Sequence, residues 1–327
     1  MRTTTRKITM TKRLFSLSLG TLLVGAVATF SASAGAAPTP AAVQAHGFRM
    51  PAKPISAEVQ KDVAKARAVD PRAFVAVNGI ISHAAEADAR ARGRKAPIAL
   101  YLAKLGPSAL MPMLEMLAVD PPRGLPAASA PGVRRDLIEA VGLLKDPRAL
   151  PVLASILEDT TEDADTTRTV AEAVARIGTE DAANHLLAAL GASRGDRTRA
   201  LLSGMGDCRR LRVTEALASH MRSTNDDSVA RAVARSLGRA GNAWAWKTLA
   251  DRSEETRIRG TAARALVDAY VRRVGEARIA ASNALMVVDA PETPDLIAQA
   301  KKGASPDVTK ALDALAERFA RNPSRTN

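Results

Sequence analysis

Between Arg134 and Leu190 one helical hairpin is written twice. The first copy, RRDLIEAVGLLKDPRALPVLASIL, is followed 33 positions later, counting from Leu144 to Ile177, by TRTVAEAVARIGTEDAANHLLAAL. Each copy places apolar residues at helical spacing, passes through a short polar turn and begins a second amphipathic stretch. A single unit of this kind cannot bury its apolar face, and the next unit in the chain is the surface that can cover it. The self-similarity therefore predicts an all-α fold, an α-α superhelix in the form of a solenoid of about six to seven helical hairpins. The composition agrees: aromatic residues make up only 3%, and layers of Ala, Leu, Val and Ile suit closely stacked helices better than an aromatic-lined pocket.

The same unit can be followed in both directions. Ala96–Ala118, Arg199–Met221 and Ser228–Ala250 read as further copies, and Val287–Leu296 matches the turn of the first. Equivalent positions Leu105, Leu144, Ile177, Met205 and Leu237 lie 39, 33, 28 and 32 residues apart. The 50 residues from Leu237 to Val287 are more than one unit and tight for two. Aligned on LKDPRALPVL (Leu144–Leu153), Pro112 and Pro294 fall on Pro151, and Asp207 and Asp289 fall on Asp146. Asp146, Thr179, Asp207 and Asp289 are thus expected to cap second helices, with Pro147 presetting the first helical residue. Ala140 and Ala173, small and equivalent, predict a close approach between neighbouring first helices.

Either side of the array the chain changes character. Residues 1–36 carry basic residues, an apolar run from Leu14 to Phe30 and two A-x-A sites, the pattern of a secretory signal peptide. Residues 37–56 are a Pro/Ala-rich spacer. Residues 57–93 read as two N-terminal capping helices, Ala57–Val69 and Pro71–Arg92, started by Ser56 and Asp70. The array is expected over residues 95–303, and a C-terminal capping helix and tail over 304–327. The expected location is outside the cytoplasm, periplasmic or extracellular, with no transmembrane segment after cleavage.

The pattern A-V-x-x-L-x-D-P-R-A-x-P-x-L at Ala140–Leu153 resembles HEAT repeats, of the variety also found in phycobilisome-lyase-type proteins. The resemblance spans roughly Ala96–Ala300 and is strongest over Arg134–Ala250. It implies an armadillo-like superhelix with first helices on the convex side and second helices on the concave side. It also implies protein–protein scaffolding, and an enzyme of lyase or hydroxylase type or a nucleic-acid binder as alternatives. Architecture of this kind is shared by unrelated activities, so function has to be argued from a site.

Few residues suggest chemistry. His46, His83, His185 and His220 fit no metal-ligand spacing, and the single Cys208 cannot form an intramolecular disulfide. Gly191-Ala192-Ser193-Arg194-Gly195 spells G-x-S-x-G, but a nucleophile elbow needs a strand before it and a helix precedes it here. The acidic run from Glu158 to Asp165 lacks an EF-hand's spacing and reads as charge at a helix start. No catalytic residue, metal ligand or cofactor is expected.

Charge is the remaining signal. The chain carries +13, of which Arg2, Arg6, Lys7, Lys12 and Arg13 lie in the leader, while residues 201–280 hold 15 basic and 9 acidic side chains. The candidate binding residues are Arg209, Arg210 and Arg212, Arg231 and Arg235 on one helix face, and Trp244 and Trp246. At 100° per residue the two tryptophans cannot point the same way, so one packs and one reaches the surface. The expected partner is a protein, acidic in character, or an anionic polymer of the cell envelope. Nucleic acid is not expected for an exported chain.

Overall fold

The computed structural model describes residues 48–52, 55–84 and 98–322. The leader-like segment, most of the spacer, residues 85–97 and the end of the tail lie outside the described residues. Among those described, every regular element is helical.

Two rows of helices alternate along the chain. The row of first helices comprises α3 (Ile98–Lys104), α5 (Ala130–Leu144), α7 (Ala164–Ile177), α9 (Gly195–Gly204), α11 (Asp227–Ala240) and α14 (Gly275–Val288). The second row comprises α4 (Leu110–Ala118), α6 (Leu150–Glu158), α8 (Glu180–Ala192), α10 (Leu211–Ser223), α13 (Glu255–Arg272) and α15 (Thr293–Lys301). Helices pack on their neighbours within each row, and each second helix also packs on the first helix that follows it. The continuous core so formed is dominated by Ala, Val, Leu, Ile and Met. At one end stand α1 (Ala57–Val69) and α2 (Pro71–Ser82), with Ser56 accepting from the Val59 amide and Asp70 from that of Ala73. At the other, α16 (Pro306–Ala320) covers the last hairpin with Leu312, Leu315 and Phe319.

The stretch from Leu237 to Val287 resolves into one unit with an insertion. α13 stacks on α10 to one side and α15 to the other, so it is the fifth unit's second helix. Between α11 and α13 the chain inserts α12 (Ala243–Lys247). The two tryptophans thus belong to the insertion rather than to a second helix of the array. Trp246 is buried against Leu211, Ala240 and Ile258, and its Nε1 donates to the Ala240 carbonyl at 2.9 Å. From the same insertion Glu254 accepts the Leu211 amide at 2.8 Å, capping α10 from 43 residues away.

That long-range cap replaces one expected locally. Asp146 caps its turn through the Arg148 amide and Thr179 caps α8 through that of Ala182. Asp207 instead ends a 3₁₀ turn and faces Arg176 at 3.7 Å. Asp289 takes the left-handed conformation (φ 44°) that Lys145 takes (φ 55°), which puts Ala290 in the place of Asp146. The Ala149 amide bonds to the Asp146 carbonyl, the Thr293 amide to that of Ala290 and the Ala109 amide to that of Gly106. The turns therefore match with Gly106, Asp146 and Ala290 equivalent, and neither Pro112 nor Pro294 sits in the place of Pro151. Matching prolines by letter slipped the register by one residue.

Close approach within the first row uses glycine as well as alanine. A Cβ on Gly142 of α5 would lie 2.5 Å from the Cα of Ala173 on α7. One on Gly204 of α9 would lie 2.6 Å from the Cβ of Ala171. Backbones at that distance leave no room for a methyl group.

Arginines join the units at helix ends. The last carbonyls of a helix have no intrahelical donor, and a guanidinium can reach two at once. Arg197 donates to the carbonyls of Asp159 (2.9 Å) and Leu157 behind α6, and Arg210 to that of Gly178 behind α7 (2.8 Å). Arg239 reaches Ser203, while Arg272 and Arg273 reach Arg222 (3.0 Å) and Thr224. Arg259 bridges the carbonyls of Val288 (3.1 Å) and Asp289, and Arg278 those of Tyr270 (3.0 Å) and Arg273 (2.6 Å). One ion pair is fully interior: Arg134 of α5 holds Glu162 in a two-pronged contact at 2.6 and 3.0 Å, with side chains 4% and 2% exposed. From sequence, Glu162 belongs to the acidic run expected to place charge at a helix start. Its neighbour Asp163 does cap α7, through the Thr166 amide at 2.8 Å.

Candidate functional site

Five of the seven candidate residues divide between two places, while Arg212 and Trp244 line neither. Arg209, Arg210 and Trp246 line a pocket of about 510 Å³ beside the turns, together with Ile177, Asp207 and Glu254. Arg231 and Arg235 line a groove of about 620 Å³ on the first-helix row, formed by α7, α11 and α14. The two cavities share no residue.

Around the turn-side pocket the arginines are already engaged. Arg209 lies 3.4 Å from the Arg239 carbonyl and 3.5 Å from that of Asp207, and burial pushes its guanidinium pKa down. Arg210 is bonded to Gly178 and lies 3.4 Å from Glu180. Arg212 donates to Asn184 at 2.9 Å. Next to them Cys208 is fully buried, and burial pushes its thiol up to about 12. Since the thiolate is the reactive form, the folded protein is expected to resist alkylation at pH 8, with labelling appearing only on denaturation. Rapid labelling of the native chain, followed by mass spectrometry, would contradict this packing.

Trp244 is 52% exposed on α12, with the Lys247 ammonium 4.1 Å from its ring centroid. The pair makes a cation–π contact, and the partition between one packed and one surface tryptophan follows from their spacing of two.

The first-row groove is built by repetition. The chain enters α7 through Asp165-x-x-Arg168, α9 through Asp196-x-x-Arg199 and α11 through Ser228-x-x-Arg231. One helical turn brings positions i and i+3 together. Arg168 stands 4.0 Å from Asp165 and 3.1 Å from Glu172, and Arg199 stands 2.8 Å from Asp196. Arg168, Arg199, Arg231 and Arg235 then line one shallow continuation of the groove. Among the described residues, the side chains of Arg231 and Arg235 make no hydrogen bond or ion pair. Ala280 and Ala284 contribute to the apolar lining, and Ile279 and Val287 of α14 are 50% and 41% exposed there. Glu276, in the first turn of α14, stands at the edge. Sequence reading missed Arg168, Arg199, Ile279 and Val287. The recurring D-x-x-R at the entry of the first helices was the signal that could have found the two arginines.

The serine of G-x-S-x-G is buried between α8 and α9, donating to the Leu190 carbonyl and sharing a hydrogen bond with Thr198, each at 2.8 Å. No strand precedes it. Among the described residues no three His, Cys, Asp or Glu side chains gather as metal ligands, and no helix is long and apolar enough to cross a membrane.

The stacking of hairpins is matched by a family model, that of HEAT repeats, over residues 124–206. Residues 124–206 are thus similar to HEAT repeats. The matched stretch contains α5 to α9, and with them the Asp165–Arg168 and Asp196–Arg199 pairs, the first two rungs of a ladder that Arg231 continues. Helices continue to stack beyond it through α11, α13, α14 and α15 in the same two rows. A comparison with curated proteins found no match. HEAT repeats are helical scaffolds that typically bind proteins, an activity that lives on exposed faces between units rather than in an enclosed cavity.

Proposed function

We propose that this chain is an exported, non-catalytic adaptor that binds a protein partner through the groove on its first-helix row. The observation that carries the reading is the groove's chemistry: exposed Ile279 and Val287 beside two arginines with no partner among the described residues. Apolar surface ringed by unengaged charge is the pattern of a protein interaction site. The HEAT repeats of residues 124–206 and the leader-like residues 1–36 support the scaffold and export parts respectively.

A photoreactive amino acid in place of Ile279, introduced in cells, is expected to trap discrete protein adducts, while one at Val69, exposed on α1, is not. A reporter active only outside the cytoplasm, fused after residue 60, is expected to be active. No adduct at Ile279 would overturn the binding surface, and an inactive reporter would overturn export.

A further inference from the structure

The partner's chemistry can be taken a step further, on the footing of the scaffold reading. The two ladder rungs on α7 and α9 are complete: Asp165 serves Arg168 and Asp196 serves Arg199. On α11 the equivalent acid is missing. Ser228 stands where the earlier rungs carry aspartate, and the two acids just before it are occupied: Asp226 caps α11 through the Ser228 and Val229 amides, and Asp227 faces Arg273 at 3.5 Å. Other charges on this wall are also engaged, since Glu172 lies within reach of Arg168, Arg176 and Arg239. Glu276 is the remaining carboxylate at the groove, and it forms no ion pair with Arg231 or Arg235.

We infer that the third rung is completed by the partner: the groove takes a protein segment bearing carboxylate side chains for Arg231 and Arg235, with an aliphatic side chain between them on Ile279 and Val287. Arginine forks favour carboxylates because two parallel N–H donors meet two oxygens. The positions i and i+4 put both guanidiniums on one stripe of α11. The segment docks edge-on to α14, whose aliphatic residues give it an apolar anchor while the arginines fix its register.

The test uses the full mature chain and a short fluorescein-labelled peptide of alternating Glu and Leu, read by anisotropy. Binding is expected, weakened roughly tenfold or more when Gln replaces Glu in the peptide or when Arg231→Gln and Arg235→Gln are combined, the loss typical of a charge-assisted hydrogen bond. Ser228→Asp is the sharper variant. It restores the missing rung, places an acid in the first turn of α11 where the helix dipole favours it, and should lower peptide affinity with the circular dichroism melt unimpaired. Glu276→Gln should raise affinity. Failure of the Glu/Leu peptide to bind, equal binding by the Ser228→Asp protein, or tighter binding of labelled single-stranded DNA than of the peptide would each overturn the inference. Adducts at Ile279 in cells that survive Arg231→Gln/Arg235→Gln would leave the scaffold reading standing and sink this one alone.

Discussion

Replacing Arg134 by methionine is expected to destabilise the protein by about 3–5 kcal/mol, the typical cost of removing one partner of a buried ion pair. The guanidinium fills the space between α5 and the turn before α7, and Glu162, with a side chain 2% exposed, would be left charged and without its cation. The second half of the argument is the double replacement Arg134→Met/Glu162→Leu, which removes both charges. It should recover most of the loss, because the ion pair's own attraction roughly offsets its desolvation. Chemical denaturation monitored by circular dichroism gives both values. A double variant as unstable as the single one would show that shape, not charge, is what Arg134 supplies.

Gly142→Val is the second large effect. The first Cβ atom would already lie 2.5 Å from the Cα of Ala173 and 2.6 Å from its Cβ, so α5 and α7 must separate along their contact. Overpacking of this kind costs about 1–3 kcal/mol or more, and here it also opens the joint between adjacent units. Gly79, within α2 and with nothing within 4 Å of a built Cβ, is the control. Gly79→Ala should be stabilising by about 0.5–1 kcal/mol from helix propensity alone. If both variants melted together, the close approach of α5 and α7 would not be a constraint.

What could be read from sequence was whatever is settled within one or two turns of chain. Ser56, Asp70, Asp146 and Thr179 cap helices because a short side chain needs only the next few amides. The hairpin alternation was equally local, since apolar spacing is a property of each helix by itself. Asp207 and Asp289 failed as caps for a different reason. The residue that turns left-handed decides the register of such a turn, and letter matching does not reveal which one it is. Nor could any local pattern reveal that Glu254 caps α10 across 43 residues.

The same limit shaped the reading of the site. Arg209, Arg210 and Arg212 form a run of cations in sequence, but the groups that engage them sit in other units. Arg231 and Arg235 look identical to them as letters. What separates the two sets is which neighbouring carbonyls and carboxylates arrive, and that follows from stacking. Ile279 and Val287 were invisible as a patch because they acquire meaning only beside α11.

The arginine bonds at helix ends also set an order of assembly. Arg197, Arg210, Arg239, Arg272, Arg273 and Arg278 each reach back to a carbonyl made earlier in the chain. During synthesis from the N-terminus, a hairpin emerging from the ribosome therefore has its final carbonyls open until its successor appears. Each unit is finished by a later one, the next hairpin in most cases and the next but one for Arg197, so folding runs at least one hairpin in arrears of translation. Arg259 is an exception, reaching forward to Val288 and Asp289. It waits for the end of α14, so the helix that brings Ile279 and Val287 to the groove is fastened among the last parts of the array to settle.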